Sequence, residues 1–590
     1  MKNHSKRFWL LVSILVLVIT VSCNHKIDSK NIEINLPEAV SYDFKPTDTT
    51  WKSLSVREKI GQTMIIRAYY EEQLTKYGSI DIMMKQYPVG GVFIPDWKFL
   101  NVKPRKNIIP NIKNTVTKYE NASRFPLIIT EDFERGVGST YSEYTHMPVE
   151  MSLGAANSPK LAENYGNSIA KEANTLGINW LLHPVADLNI NPLQNLVVER
   201  AISDNSNRAY PLLKAQIGGM KKQGVVSTIK HFPGDGATMK NQHFITSANN
   251  LSLNEWNGNF GTLYQNLIND GIPCIMVGHI RFPAYQKEKL KGVYPPATLS
   301  KELMVDLLKG KMKFNGVIMS DALNMGGVGG YYKNELETSI QSFKAGVDLV
   351  LWPALSYMDS VEVRIKRGEI PMSRLDDAVE RIWGVREKFD LLDKKEDILY
   401  QMSEKEVKEI KKTATKVAND AVTLLADTNN EIPLSPSSTK RIAIVNLSHN
   451  DKTNEFAYTQ KLLNEKGFVA DTILHNPQFF EWQDKIDFFD NYDKIIVAFE
   501  NRYFNPLGSS MLKDKEALGL WTMGMIPQEK IIAISYSNPY YANFYFDNAA
   551  IRINAYSIDS FSQKAVVEAL TGAIEFKGTS PVKLNHEIMK

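Results

Sequence analysis

The sequence predicts an α/β protein in which a (β/α)8 barrel of the TIM type precedes a smaller α/β sandwich domain. Between about residues 55 and 390, eight short apolar runs alternate with longer amphipathic segments, as expected for successive βα units. Several runs end in polar residues, and barrel active sites lie where the strands end. At 590 residues the chain is also longer than one hydrophobic core usually supports. A doubly wound open sheet is the alternative fold for the same alternation.

The eight apolar runs are the predicted barrel strands. They span residues 61–69, 90–96, 126–132, 178–187, 225–232, 273–280, 316–322 and 346–352. The side chains that stand at their ends are Asp132, Asp187, Lys230, His231, His279 and Asp321. Because the ends of barrel strands meet at one face, these residues are the first candidates for a functional site. A helical stretch at 372–390 closes the barrel region.

The chain divides into five predicted segments. They are a lipoprotein signal peptide (1–22), a tether (23–50), the barrel (51–395), a linker (396–430) and a second domain (431–590). The strand candidates of the second domain are 441–447, 494–500, 530–536 and 549–556. With helical segments between them, these strands are typical of a flavodoxin-like sandwich.

The composition is that of an ordinary globular protein. Hydrophobic residues make up 43% and charged residues 23% of the chain, which excludes disordered, collagenous and coiled-coil classes. The net charge of +3 is too small for a protein that follows nucleic-acid phosphates, so we expect no nucleic-acid partner. The two cysteines, Cys23 and Cys274, supply neither a disulfide framework nor a Cys-rich metal site.

The N-terminus has the pattern of an export signal. Lys2, Lys6 and Arg7 precede an apolar run over residues 8–21 that is too short to span a bilayer. Cys23 follows where cleavage is expected, as in a bacterial lipobox, so we predict that it is the lipidated first residue of the mature chain. The protein would then be an exported lipoprotein of the cell envelope, in contact with the membrane only through its lipid. An ordinary secretory signal with a chance cysteine is the alternative.

The most informative segment is VVSTIKHFPGDGATMKNQH, residues 225–243. A predicted strand delivers Lys230 and His231 at its end, and the Pro-Gly-Asp-Gly turn that follows lets backbone approach a ligand. A Lys-His pair at a barrel mouth offers hydrogen bonds to hydroxyls or to an acidic group. On local sequence alone, a His that caps a strand and a Lys in a salt bridge explain the pattern equally well.

Two aspartates at strand ends have several possible roles. Asp321 can be a nucleophile, a general base or the N-cap of the following helix. Asp132 can accept hydrogen bonds from sugar hydroxyls or pair with Arg135.

Four motifs together resemble glycoside hydrolase family 3. They are HPVADLNINP (183–192), KHFPGDG (230–236), the GHI of the sixth run and GVIMSDALNM (316–325), in this order. The resemblance covers about residues 55–425 well and the rest more loosely. It is strongest for the β-N-acetylhexosaminidase branch, which implies exo-acting removal of terminal β-linked N-acetylhexosamine through a covalent glycosyl-enzyme intermediate. Carbohydrate is then the expected partner, and the chemistry needs no cofactor or metal.

The resemblance also assigns roles to individual residues. Asp321 matches the catalytic nucleophile, and Asp187 matches an aspartate that supports the sugar pocket. The residues that match sugar-binding positions are Asp132, Arg200, Lys230, His231 and His279.

The acid/base position departs from the branch. Where the branch has Asp-Ser-His, this chain has Asn241-Gln242-His243, so the histidine is present and its carboxylate partner is not. An amide can orient the imidazole, but it cannot neutralise the imidazolium, and the same exchange in a serine-protease triad costs roughly 10⁴ in kcat. Asp235 and Glu500 are the carboxylates that could replace the missing one.

Three hypotheses for the function follow. The first is a retaining β-N-acetylhexosaminidase that uses Asp321 and His243. The second is a β-glucosidase-type enzyme with Glu500 of the second domain as acid/base. The third is a lipoprotein that binds glycan without cleaving it.

Overall fold

A computed structural model of the chain describes residues 34–394, 398–448, 454–474, 482–501, 512 and 514–585. The predicted signal peptide and Cys23 lie outside the described residues. Within those ranges, no helix combines the length and the apolar character needed to cross a membrane.

Eight parallel strands form the barrel, and each lies within one predicted apolar run. They are β1 (Met64–Arg67), β2 (Gly91–Phe93), β3 (Ile128–Glu131), β4 (Trp180–Leu181), β5 (Val226–Phe232), β6 (Cys274–Val277), β7 (Val317–Ser320) and β8 (Val350–Leu351). Neighbours in sequence pair with one another, and β8 pairs with β1. A bridge between Met319 and Leu349 nearly closes the circle. The predicted fold class is therefore confirmed.

Helices surround the barrel, and the local sequence explains where several of them begin. Ser55 and Glu58 form a capping box at the start of Val56–Gln62, and Ser158 caps Pro159–Asn174. The other α-helices of the barrel region are Tyr70–Tyr77, Ile80–Gln86, Asp96–Phe99, Ile108–Ala122, Glu150–Ala156, Ser206–Lys221, Leu253–Trp256, Thr262–Asn269, Glu335–Ala345, Ser356–Lys366 and Met372–Lys388. Two stretches, Asn257–Gly261 and Glu302–Lys311, are π-helical.

The described part of the predicted tether packs against the barrel. Phe44 is 4% exposed and joins the apolar cluster inside the barrel. Its carbonyl comes so close to Gly384 that a Cβ there would lie 1.6 Å from the oxygen. Trp383 Nε1 donates a hydrogen bond to Asp48 Oδ1 at 3.0 Å. The structure differs from the prediction here because this segment has no helical or strand periodicity, and only its contacts show that it belongs to the barrel.

The second domain is built on a six-stranded sheet. Its strands are β9 (Thr423–Asp427), β10 (Arg441–Asn446), β11 (Val469–Leu474), β12 (Lys494–Phe499), β13 (Ile531–Ser535) and β14 (Ile551–Asn554). The order is β9-β14-β13-β12-β10-β11, and all pairs are parallel except β9 with β14. The helices are Glu404–Ala421, Ala457–Glu465, Trp482–Asp490, Asp514–Met523, Tyr541–Tyr545 and Ser560–Leu570.

The four predicted strands of this sheet are present, and two further strands complete it. The sequence analysis missed β9 and β11, which form the two edges of the sheet. Edge strands carry more polar residues than central ones, so their apolar signal is weaker. In the sequence, two polar residues, Asp471 and Thr472, interrupt the apolar residues of β11, and β9 lies where the linker was predicted.

The second domain is fixed against the barrel by a shared apolar cluster and by the C-terminal segment. Val149 of the barrel and Tyr540 and Tyr556 of the second domain belong to that cluster, and all are at most 1% exposed. Arg208 of the barrel donates hydrogen bonds to the carbonyls of Ser580 and Thr579, both at 3.0 Å. These contacts hold the second domain beside the mouth of the barrel.

Candidate active site

A cavity of about 690 Å³ lies at the carboxyl ends of the barrel strands. Barrel residues form most of its wall, and Asn501, Asn538 and Tyr541 of the second domain complete it. Both domains therefore contribute to one site. In the described ranges, no group of three or more His, Cys, Asp and Glu side chains is arranged to hold a metal ion.

Asp321 follows β7 and lines this cavity. The residue is 5% exposed, and its Oδ1 accepts a hydrogen bond from the Ala322 amide at 2.7 Å. Its Oδ2 has no hydrogen-bond partner in the part of the chain that the structure describes. Burial alone would raise the pKa of the carboxyl, but His279, His231 and the Ala322 amide hold that pKa below its usual value. Asp321 is thus a charged carboxylate with one oxygen available for chemistry.

A charged network stands at the ends of β3 and β5. Lys230 Nζ lies 2.6 Å from Asp132 Oδ1 and 2.7 Å from Glu134 Oε1. Arg200 binds Glu134 through two hydrogen bonds of 2.8 Å each. Burial would lower the pKa of Lys230, but the two carboxylates raise it well above its usual value. The predicted residues Asp132, Arg200 and Lys230 are therefore brought together around Glu134.

Glu134 was not predicted. Its charge is stabilised by Arg200 and Lys230, which outweigh the effect of burial and hold its pKa well below the usual value. The signal that could have found it is its position two residues after Asp132, on the same loop that leaves β3.

His231 lines the cavity and is held from behind by Asp187. His231 Nδ1 lies 2.7 Å from Asp187 Oδ2, and the His231 amide donates to Asp187 Oδ1 at 3.1 Å. This carboxylate fixes the tautomer with hydrogen on Nδ1, so Nε2 is left for a ligand. Asp187 is fully buried and acts through His231, as the sequence predicts for a supporting residue.

His243 lines the cavity with Asn241 as the partner of its ring. Asn241 Oδ1 lies 2.9 Å from His243 Nδ1 and accepts the His243 backbone N–H at 3.0 Å. The structure thus places the amide where the resemblance places a carboxylate. Burial lowers the pKa of His243 to about 4, and the Arg200 charge acts in the same direction while Asp321 opposes it. The imidazole is therefore neutral in the free protein at neutral pH.

The loop that carries His243 packs against Gly326 and Gly327, which follow Asp321 in the chain. The amides of Gly326 and Gly327 donate to the carbonyls of His243 and Gln242 at 2.9 and 3.1 Å. A Cβ on Gly327 would lie 2.2 Å from the Gln242 carbonyl oxygen, so only glycine permits this approach. The loop links the histidine to the nucleophile region.

His279 does not line the cavity. The side chain is fully buried, with Nδ1 3.0 Å from Thr298 Oγ1 and Nε2 2.9 Å from the Ala322 carbonyl. The structure therefore corrects the expected sugar contact of His279: it supports the backbone next to Asp321. Its position at a strand end predicted that it is near the site, but strand position alone does not tell which way a side chain points.

The two alternative carboxylates have other surroundings. Asp235 is fully buried, and its Oδ1 accepts hydrogen bonds from Gln194 Nε2, Thr238 Oγ1 and the Gly236 amide at 3.0, 2.8 and 2.8 Å. Glu500 is 6% exposed and is not part of the cavity wall. Asn241 holds Nδ1 of the histidine in place of either carboxylate.

Several known proteins are similar to this chain along most of its length. A β-N-acetylglucosaminidase/β-glucosidase of Cellulomonas fimi is 26% identical over 552 residues, which cover 90% of this chain and 94% of that protein. The solved structure of the β-glucoside phosphorylase BglX is 28% identical with a TM-score of 0.75, and the match covers 91% of this chain and 94% of that one.

Two further proteins extend the comparison. A β-hexosaminidase A of Pseudoalteromonas piscicida is 31% identical over 313 residues, about half the length of each chain. A family 3 β-N-acetylglucosaminidase structure from Paenibacillus sp. str. FPU-7 has the same fold, with a TM-score of 0.74 and 22% identity. Residues 55–385 match the glycosyl hydrolase family 3 N terminal domain, and the chain belongs to that family.

Proposed function

We propose that this protein is an exo-acting, retaining glycosidase that removes terminal β-linked N-acetylhexosamine (GlcNAc) from glycans or peptidoglycan fragments. The observation that carries the proposal is that Asp321, with one uncommitted carboxylate oxygen, and His243 line the same cavity. The names of the Cellulomonas and Pseudoalteromonas relatives support this choice of sugar.

In the first step, Asp321 attacks the anomeric carbon while His243 protonates the glycosidic oxygen. The bond from the carbon to the leaving oxygen breaks, and a glycosyl ester with Asp321 forms. Lys230, Arg200 and His231 hold the sugar hydroxyls, so binding energy favours the distorted transition state over the ground state.

In the second step, His243 takes a proton from water, and the water oxygen displaces Asp321 from the anomeric carbon. A neutral imidazole with a pKa of about 4 is ready for this role at neutral pH. It is less suited to the first step, in which it must carry a proton. Asn241 orients the ring but adds no charge, so protonation of poor leaving groups is expected to limit turnover.

Paired chromogenic substrates test the proposal. We expect the protein to cleave aryl β-N-acetylglucosaminide and to lose that activity in Asp321→Ala. Cleavage of aryl β-glucoside alone would favour the glucosidase-type alternative, although Glu500 lies off the cavity wall. Saturable sugar binding with no turnover of either substrate would favour the binding-protein hypothesis.

Phosphorolysis is the second candidate function. The similarity to a β-glucoside phosphorylase over 91% of this chain favours it, as does the neutral amide of Asn241, because a carboxylate there would repel a phosphate. A phosphate oxygen would then displace Asp321 from the anomeric carbon and yield a sugar 1-phosphate. Product analysis with and without inorganic phosphate separates the two reactions: the free sugar indicates hydrolysis.

We also propose that the chain is exported and anchored in the cell envelope through lipidated Cys23. The basic, apolar and small-residue order of the first 23 positions supports this. Metabolic labelling with a radioactive fatty acid should mark the wild type and not Cys23→Ala. Release of the unlabelled wild type into the soluble fraction would contradict the anchor.

A further inference from the structure

Arg135 differs from the other cations of the cavity. Lys230 and Arg200 are tied to carboxylates at 2.6 to 2.8 Å. Half-buried Arg135 lines the same cavity, yet among the described residues no carboxylate oxygen lies within 4.0 Å of its guanidinium. A guanidinium presents five donors in a rigid fork that suits carboxylate and phosphate. Among the described residues, the Arg135 guanidinium therefore has no carboxylate in ion-pair contact.

The guanidinium stands at the end of the cavity that the second domain closes. Burial raises the pKa of Glu500, and the nearby Arg135 charge partly opposes this rise; the next residue, Asn501, lines the cavity. Asn501 and Asn538 are 4% and 2% exposed. Their own domain holds them, through Asn501 Nδ2 to the Leu447 carbonyl at 2.6 Å and the Tyr540 amide to Asn538 Oδ1 at 2.9 Å. Two fixed amides thus face the same space as the cation.

Two carboxyls stand near Arg135, and their state matters for an anion. Glu199 lines the cavity, whereas Glu500 is not one of its lining residues. Burial raises the pKa of both, to about 8 for Glu500, which favours their neutral forms.

We propose that Arg135, with the side-chain amide of Asn538, binds an oxyanion at the end of the cavity that the second domain closes. This inference rests on the proposed glycosidase function. It names the class of ligand that binds at the end of the cavity closed by the second domain. The oxyanion has two possible sources. It is either a carboxylate carried by the departing group, or inorganic phosphate that attacks the glycosyl-Asp321 ester. In the second case the new bond joins phosphate oxygen to the anomeric carbon, and the ester bond to Asp321 breaks.

Two kinetic arms distinguish these sources in the full-length protein. The first compares 4-carboxyphenyl with 4-carbamoylphenyl β-N-acetylglucosaminide, which differ in charge at nearly equal size. The second follows turnover of the neutral glycoside with increasing phosphate at constant ionic strength and measures sugar 1-phosphate. We expect the wild type to favour the anion in at least one arm by roughly tenfold or more, the size of a charge-assisted hydrogen bond.

The variants R135Q, R135K and R367Q test which residue is responsible. R135Q should lose the preference, and R135K should keep part of it because it keeps the charge but not the fork. R367Q is the matched control, because this arginine is 70% exposed on the surface and should retain the full preference. No preference in the wild type, or a preference that survives in R135Q, would overturn the proposal.

A measurement without turnover separates this proposal from the proposed function. Phosphate and 4-carboxyphenyl glycoside should each be tested for protection against thermal unfolding, with chloride at equal ionic strength as reference. Protection that disappears in R135Q supports the anion site even if the wild type cleaves no N-acetylhexosaminide. Cleavage without any anion preference or protection leaves the glycosidase assignment intact and rejects the anion site.

Discussion

The sugar-binding end and the proton-transfer end of the cavity are held in different ways. At the first, Lys230, Arg200 and Glu134 are joined by charged contacts of 2.7 and 2.8 Å. At the second, His243 rests on the neutral Asn241, and its neighbour Phe244 is 38% exposed. Buried ion pairs hold the first end, whereas neutral hydrogen bonds of the Asn241 side chain and of the loop backbone hold the second. Ion pairs therefore hold the residues that are proposed to bind the sugar, whereas a neutral amide holds Nδ1 of the histidine that is proposed to transfer the proton.

This difference predicts that the leaving group or acceptor, rather than the bound sugar, decides which reactions are fast. Proton transfer typically contributes about 10²- to 10⁴-fold to catalysis. A site whose general acid is mostly deprotonated at neutral pH still cleaves substrates whose leaving groups depart without protonation. The following variants test the comparison from the largest expected effect to the smallest.

Asp321→Ala removes the proposed nucleophile. Turnover depends on this residue however well the sugar is bound or the proton is transferred. We expect kcat for aryl β-N-acetylglucosaminide to fall by at least about 10⁴-fold, as for the loss of other covalent nucleophiles. Azide should restore part of the activity and give a glycosyl azide, because the small anion fits the space of the lost carboxylate. Asp306→Ala is the control, since Asp306 pairs with Lys301 at 3.0 Å on the surface. Residual activity near the wild-type level would place the nucleophile elsewhere.

Glu134→Gln tests the sugar-binding end. The change keeps the shape of the side chain but leaves Arg200 and Lys230 without their shared carboxylate. Breaking a buried ion cluster from one side should lower kcat/KM by roughly 10²- to 10³-fold. Glu163→Gln is a matched control, because Glu163 also bridges two lysines, Lys160 and Lys222, but on the surface. Equal kinetics for the two variants would show that the network does not position the sugar.

Asn241→Asp strengthens the proton-transfer end. A carboxylate beside His243 should raise the pKa of the imidazole from about 4, so the protonated acid persists to higher pH. The falling basic limb of the kcat/KM profile should then move to higher pH. At pH 7, cleavage of a disaccharide should accelerate roughly tenfold or more, while an aryl glycoside with an activated leaving group should change little. The pH profiles of both substrates measure this.

The result of this substitution also separates the two proposed reactions. For a hydrolase, the added carboxylate completes the acid/base pair. For a phosphorylase, it places a negative charge near the incoming phosphate and should slow formation of sugar 1-phosphate. An unchanged pH profile together with an unchanged product ratio would show that His243 is not the acid/base.

Much of the fold and part of the site could be predicted because they follow from local patterns. Each barrel strand is a short apolar run, and a residue at its carboxyl end lies near the barrel mouth. Asp321 and Lys230 were placed correctly at the mouth for the same reason. The pairing of Asn241 with His243 was expected from the resemblance to the Asp-Ser-His loop of the hexosaminidase branch, and the two residues are in contact.

The remainder depends on contacts between distant segments. Glu134 is one carboxylate among 66 acidic residues, and only the folded positions of Arg200 and Lys230 distinguish it. Asn501 and Asn538 reach the cavity because a whole domain packs against the barrel, which no local pattern reports. His279 shows the same limit on a smaller scale, since the direction of a side chain is decided by its neighbours.

Glu500→Gln should have the smallest effect. Glu500 is buried in the second domain and is not part of the cavity wall, and glutamine preserves its volume. We expect kcat/KM for aryl β-N-acetylglucosaminide and aryl β-glucoside to change by less than about threefold. Substitution of a general acid would instead lower kcat/KM by roughly 10²- to 10⁴-fold, as we expect for His243→Ala with a poor leaving group. If Glu500→Gln loses activity and His243→Ala does not, the second domain supplies the acid/base and the comparison between the two ends is reversed.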